Sequence, residues 1–133
     1  TSIEFEAGLP DDVTEEEFWE VRIPQINTRA SDLSFIIDRL QTMKSYNLYN
    51  SINFNKVGVF GHSFGGATSV VSSWNDTRIS ACLNLDGWFV PIVNDIINTG
   101  LKIPFCYIGQ IQKNPTNIHS NCICGILTNR NTA

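Results

Sequence analysis

Val57-Gly58-Val59-Phe60-Gly61-His62-Ser63-Phe64-Gly65-Gly66-Ala67-Thr68 is the stretch that decides how this chain is read. The apolar run over 57–60 reads as a strand, and Ala67-Thr68-Ser69-Val70-Val71-Ser72-Ser73 can continue as a helix. Strand, sharp turn around a serine, then helix is the setting of a nucleophile elbow. Such a turn holds the serine in a strained backbone conformation, with its hydroxyl clear of the sheet edge at the positive end of a helix. The Phe64 N–H is then placed to bind an oxyanion. Gly61 and Gly65 are both expected to be required, because side chains there would collide with the neighbouring strand and helix. A bare G-x-S-x-G arises by chance in about one chain of this length in twenty. The preceding strand, the extra glycine at 66 and the helical continuation add the weight. The competing reading is a Gly-rich turn in which Ser63 merely caps the helix. A phosphate-binding loop fits less well, since no Gly-Lys-Ser/Thr ending is present.

Working outward, Thr14-Glu15-Glu16-Glu17 has capping-box form and opens a short acidic helix through Phe18 and Trp19, with Pro24 limiting its extension. From Ser31, apolar residues Leu33, Ile36, Ile37, Leu40 and Met43 recur at helical steps toward Asn47, which predicts a helix lying on a sheet. Ile79–Leu85 reads as a second strand ending at Asp86-Gly87-Trp88. The stretch 92–100 reads as a connecting helix with Gly100 as its stop, and 103–108 as a third strand. This alternation implies an α/β architecture: a parallel sheet of about three strands with helices covering its faces. Sites in such sheets form at the carboxyl ends of strands, where Ser63 and Asp86 both fall. Residues 1–133 read as one domain, with a core over 25–110 and an irregular Asn/Thr-rich tail over 111–133.

Composition narrows the function classes. The net charge of −4 and the absence of a basic stripe argue against nucleic-acid binding. No run approaches the length a membrane helix needs, and the N-terminus has no signal-peptide pattern. Of the four cysteines, Cys82 and Cys106 read as buried small hydrophobes. Cys122-Ile123-Cys124 has neither zinc spacing nor a partner set, so no metal or other cofactor is expected.

A serine hydroxyl is a poor nucleophile until a base takes its proton and donors hold the oxyanion. Asp86, at the end of an apolar strand, suits the acid that orients such a base, or else it caps a helix. The chain has two histidines. His62 belongs to the turn and reads as structural, directed into adjacent structure. His119 has the chain order Ser, Asp, His of an α/β-hydrolase and is the candidate base, although it follows no further strand.

Arg29-Ala30-Ser31-Asp32-Leu33-Ser34-Phe35, the elbow with Ala67-Thr68 after it, and Leu85-Asp86-Gly87-Trp88-Phe89 together resemble the platelet-activating factor acetylhydrolase family of the α/β-hydrolase superfamily. The likeness runs from about Gln25 to Gln110. It implies a serine esterase that removes short acyl groups from phospholipid-like esters through an acyl-serine, without a metal ion. Carried over, Ser63 is the nucleophile, Asp86 the triad acid and Phe64 N–H one oxyanion donor. Trp88 and Phe89 would line the lipid side of the pocket, or simply pack the core. Two family features have no counterpart: earlier strands with a His-Gly motif for a second oxyanion donor, and a final strand leading to the catalytic histidine. The chain thus reads as a central piece of such a fold, a weak enzyme by itself. A binding module that kept the elbow but lost the base, and an acyltransferase that excludes water, are the rival readings.

Overall fold

The computed structural model describes residues 14–45, 47–89 and 94–109. Three parallel strands, β1 (Val57–His62), β2 (Ile79–Leu85) and β3 (Phe105–Ile108), lie side by side in chain order. Helices α1 (Glu15–Thr42), α2 (Phe64–Asn75) and α3 (Asn94–Thr99) flank them, giving the partial α/β-hydrolase-type layout expected from sequence. The β1–β2 register pairs His62 with Leu85, and β2–β3 pairs Leu85 with Ile108, so the three strand ends sit level.

Chain-order strands joined by right-handed crossovers must place both connecting helices on the same face. That is observed: Val70 of α2, Cys82, Phe105, Phe89 and Ile96 of α3 form one buried cluster, with Val59 and Tyr107 against it. The expectation that helices cover both faces is therefore corrected for the described residues. On the opposite face Phe60 is 75% and Ile108 59% exposed. Cys106 also lies exposed there, contrary to its reading as a buried hydrophobe, while Cys82 is buried and its thiol titration is pushed up by desolvation.

Two further expectations change. The capping box at Thr14 forms, with Thr14 Oγ1 accepting from Glu17 N–H at 3.3 Å and Thr14 N–H donating to Glu17 at 2.9 Å. The helix it opens does not stop at Pro24 but runs on to Thr42. A proline inside a helix removes one backbone bond, a cost of about 3 kcal/mol. Burial on both sides of it opposes that cost: Ile26 and Ala30 pack with Ala67 and Val71, and Phe18 and Trp19, before the proline, stack on Trp88. The second change follows from the first. α1 rests on α2 rather than directly on the sheet, so α2 is buried along residues 66–73. Its serines and threonine turn their hydroxyls back onto helix carbonyls, as Ser72 does to Thr68 O at 2.8 Å, which lets polar side chains sit in a helix with no wet face.

One charged clamp ties α1 to the α2–β2 turn. Arg78 donates from Nε to Asp76 Oδ1 at 2.9 Å and from Nη2 to Asp76 Oδ2 at 2.6 Å, and it also reaches Asp38 and the carbonyl of Ser34 on α1. Asp76 is buried, and the Arg78 hydrogen bonds hold its carboxyl well below the usual carboxylate range. A carboxylate with a depressed native pKa stabilises the fold above its ordinary value of 3.8 and loses that contribution as pH falls through and below it. Arg78→Ala should lower unfolding free energy by about 2–3 kcal/mol at neutral pH, since it leaves a buried carboxylate without its partner. The deficit should shrink in urea melts at acid pH, where Asp76 is protonated in the unfolded chain. Equal deficits at both pH values would show that the clamp is not electrostatic.

Candidate functional site

Ser63 leaves β1 with φ 52° and ψ −117°, a region that L-residues avoid. It is held there by backbone bonds on both sides: its N–H donates to Leu85 O on β2 at 2.9 Å, and its carbonyl accepts from Gly66 at 2.9 Å and Ala67 at 3.2 Å. Such a conformation costs about 1–3 kcal/mol and persists when the surroundings over-determine it. Ser63 stands at the N-cap position of α2, yet its side chain makes no capping bond. The capping reading of Ser63 therefore has no hydrogen bond behind it. Phe64 is the first residue of α2, so its N–H has no acceptor four residues back within the helix.

Two glycines make the turn possible, but they are not the expected pair. A Cβ on Gly61 would lie 2.1 Å from Gly65 O, and a Cβ on Gly66 would lie 2.3 Å from Asn84 Oδ1 and 2.8 Å from Gly87 Cα. A Cβ on Gly65 would meet nothing within 4 Å. The expectation for Gly65 is thus corrected: strand-to-helix contact is made by its backbone against Gly61, while the direction a side chain would take from Gly65 is open.

Asp86 occupies the equivalent place one strand over. It too has a positive φ, 50°, and its N–H donates to Ile108 O on β3 at 2.7 Å. Asn84, fully buried, sits between the two turns. Its Oδ1 accepts the Gly87 N–H at 2.7 Å and presses against Gly66, and its Nδ2 has no partner among the described residues. On the far side of Asp86 the Tyr107 hydroxyl donates to Asp86 Oδ1 across 3.4 Å. Burial first, then the negative charge of Asp86, pushes the Tyr107 phenol titration up. Neither Asn84 nor Tyr107 stands out in the sequence, where both read as ordinary strand residues.

The remaining candidates separate. Trp88 is half-buried in an aromatic group with Phe18, Trp19 and Phe64, at centroid distances of 5.6, 5.5 and 6.0 Å. Phe89 is fully buried in the core, its ring against Tyr107 at 5.2 Å and edge-on to Phe105 at 6.5 Å. His62 is exposed at the end of β1 rather than packed into adjacent structure. His119 lies outside the described residues. Beside Phe64 and Gly65 an apolar groove of about 670 Å³ opens between β1 and α1, walled by Leu33, Phe35, Ile36 and Phe60. No helix among the described residues is long and apolar enough to cross a membrane.

Comparison with known proteins places this arrangement. The family model described as platelet-activating factor acetylhydrolase, isoform II, matches residues 11–121. The platelet-activating factor acetylhydrolase of Bos taurus is 32% identical over 92 residues, which is 68% of this chain and 19% of the bovine protein. That of Gallus gallus is 32% identical over 63 residues, 47% of this chain and 15% of its own length. A probable 1-alkyl-2-acetylglycerophosphocholine esterase of Arthroderma benhamiae is 46% identical over 46 residues, 35% of this chain and 11% of the fungal protein. The aligned stretches thus span less than a fifth of each of these curated relatives.

The glycine geometry yields a direct test. Gly66→Ala should lower stability by at least about 2 kcal/mol, because its methyl must displace Asn84 or the Gly87 backbone. Gly65→Ala should be neutral or stabilising by up to about 1 kcal/mol, since it gains helix propensity without a clash. Thermal melts of the two variants compare them. A Gly66→Ala melt matching the parent would mean that the two turns do not approach as described.

Proposed function

We propose, since the chain belongs to the platelet-activating factor acetylhydrolase isoform II family, that it carries the nucleophile and acid of a serine esterase. The substrate class is a phospholipid-like ester with a short acyl group, the chemistry named for the fungal relative. The observation that carries this reading is the backbone of Ser63: a non-glycine residue at φ 52° between a strand and a helix, followed by a first-turn N–H, that of Phe64, with no intrahelical acceptor.

In this reading Ser63 Oγ attacks the acyl carbonyl carbon while its proton passes to the His119 imidazole. The other imidazole nitrogen donates to Asp86, and the Phe64 N–H donates to the oxyanion. Collapse breaks the ester C–O bond, and the proton from His119 goes to the departing alcohol. Water then repeats the sequence on the acyl-serine, with His119 again as base, and releases the short carboxylic acid. Phe64, at the head of the apolar groove, gives the site a greasy flank suited to an ester with an alkyl portion. Trp88 supports that flank through an edge-to-face contact with Phe64.

Hydrolysis of p-nitrophenyl acetate tests the reading. The purified chain should turn it over slowly, because this reading assigns a single oxyanion donor, the Phe64 N–H, and a second would be worth about a hundred- to a thousandfold. Ser63→Ala should return the rate to uncatalysed background with an unchanged melting temperature, since removing one hydroxyl from a turn opens no core cavity. His119→Ala should lower the rate by about a hundredfold. A Ser63→Ala variant as active as the parent would overturn the proposal. A His119→Ala variant as active as the parent would remove His119 from it.

A further inference from the structure

We infer that Tyr107 is a positioning residue for Asp86: its phenol, held over the end of β2, fixes the carboxylate in the orientation that the esterase chemistry proposed above requires. The inference rests on that reading and adds a member to the site from β3. Three independent features place the hydroxyl. The Tyr107 ring packs on Phe89, which is itself fully buried, so the ring cannot swing away without opening the core. Gly109 leaves room for it, because a Cβ there would lie 2.1 Å from the Tyr107 hydroxyl oxygen. Asp86 is drawn toward the same strand by its backbone, whose N–H donates to the carbonyl of Ile108, the residue after Tyr107, at 2.7 Å.

The side-chain contact itself, from Tyr107 hydroxyl to Asp86 Oδ1, is 3.4 Å, longer than a tight O–H···O bond. Hydrogen bonds in a catalytic group are commonly loose before substrate binds and shorten when charge develops. Here charge develops on the base that Asp86 would orient. A phenol donor on one oxygen restrains the torsion of the Asp86 carboxylate. The ring's burial and the adjacent carboxylate both disfavour phenolate, so Tyr107 remains a donor through neutral and mildly alkaline pH.

Tyr107→Phe removes the hydroxyl and keeps the ring against Phe89. It should lower kcat for a short-chain ester about tenfold, the worth of one hydrogen bond to a charged group, with KM and melting temperature unchanged. A second measurement does not need turnover. Phenolate absorbance, titrated in the parent and in Asp86→Asn, should show one tyrosine ionising at lower pH in the variant, and Tyr107→Phe should abolish that transition. A Tyr107→Phe variant with the parent's kcat, while Ser63→Ala is inactive, overturns the inference and leaves the esterase reading standing. An unmoved phenol titration in Asp86→Asn overturns it too. If Ser63→Ala matches the parent, the esterase reading itself fails and Tyr107 has no site to serve.

Discussion

The buried amide of Asn84 is the contact on which the turns at Ser63 and Asp86 depend. Its Oδ1 accepts the Gly87 N–H and at the same time fills the space against Gly66. One side chain therefore touches the start of the helix behind Ser63 and the backbone behind Asp86. The strand register adds the rest: Ser63 N–H bonds Leu85 O, and Asp86 N–H bonds Ile108 O, so each turn is tied to the strand beside it. Two non-glycine residues with positive φ, each disfavoured by about 1–3 kcal/mol, are thereby kept at neighbouring strand ends. Asn84 Nδ2 has no partner among the described residues. Backbone strain is thus concentrated at two adjacent turns and held there by the hydrogen bonds to the neighbouring strands.

Much of this was legible in the chain because its local signals agree. The elbow, the apolar strand at 79–85, the Gly100 helix stop and the Thr14 capping box all form where the residues indicate. The errors share a cause: they depend on what lies across from a residue, which one-dimensional patterns do not contain. Pro24 reads as a stop by propensity, but tertiary packing of Ile26, Ala30 and the aromatic turn before it carries the helix through. The motif singles out Gly65, yet a neighbour on another strand, Asn84, makes Gly66 the constrained one. Cys106 alternates onto the sheet face opposite the helices, a consequence of strand order rather than of its own apolar surroundings. Tyr107 declares itself through one oxygen that meets Asp86, a pairing no spacing rule announces.

The family relationship and the geometry bear on different questions. Similarity to the acetylhydrolases names a chemistry in those relatives, while the structure shows how Ser63 and Asp86 come to lie at neighbouring strand ends. Ser63 and Asp86 arrive together because parallel strands in register end level with one another, a property of the sheet and not of either turn. The aromatic group of Phe18, Trp19, Phe64 and Trp88 joins α1 to the start of α2, so the long helix helps hold Phe64 beside Ser63.

Covalent trapping tests whether this backbone presents an activated serine. The purified chain, incubated with a fluorophosphonate and digested, should yield a single phosphonylated peptide by mass spectrometry, with the adduct on Ser63 and none on Ser31, the exposed serine of α1. Heat-denatured chain treated in parallel should remain unmodified, because a serine hydroxyl outside the turn has neither the base nor the oxyanion donor. An unmodified Ser63 in the folded chain, or equal labelling of folded and denatured chain, would contradict a site built on the strained turn.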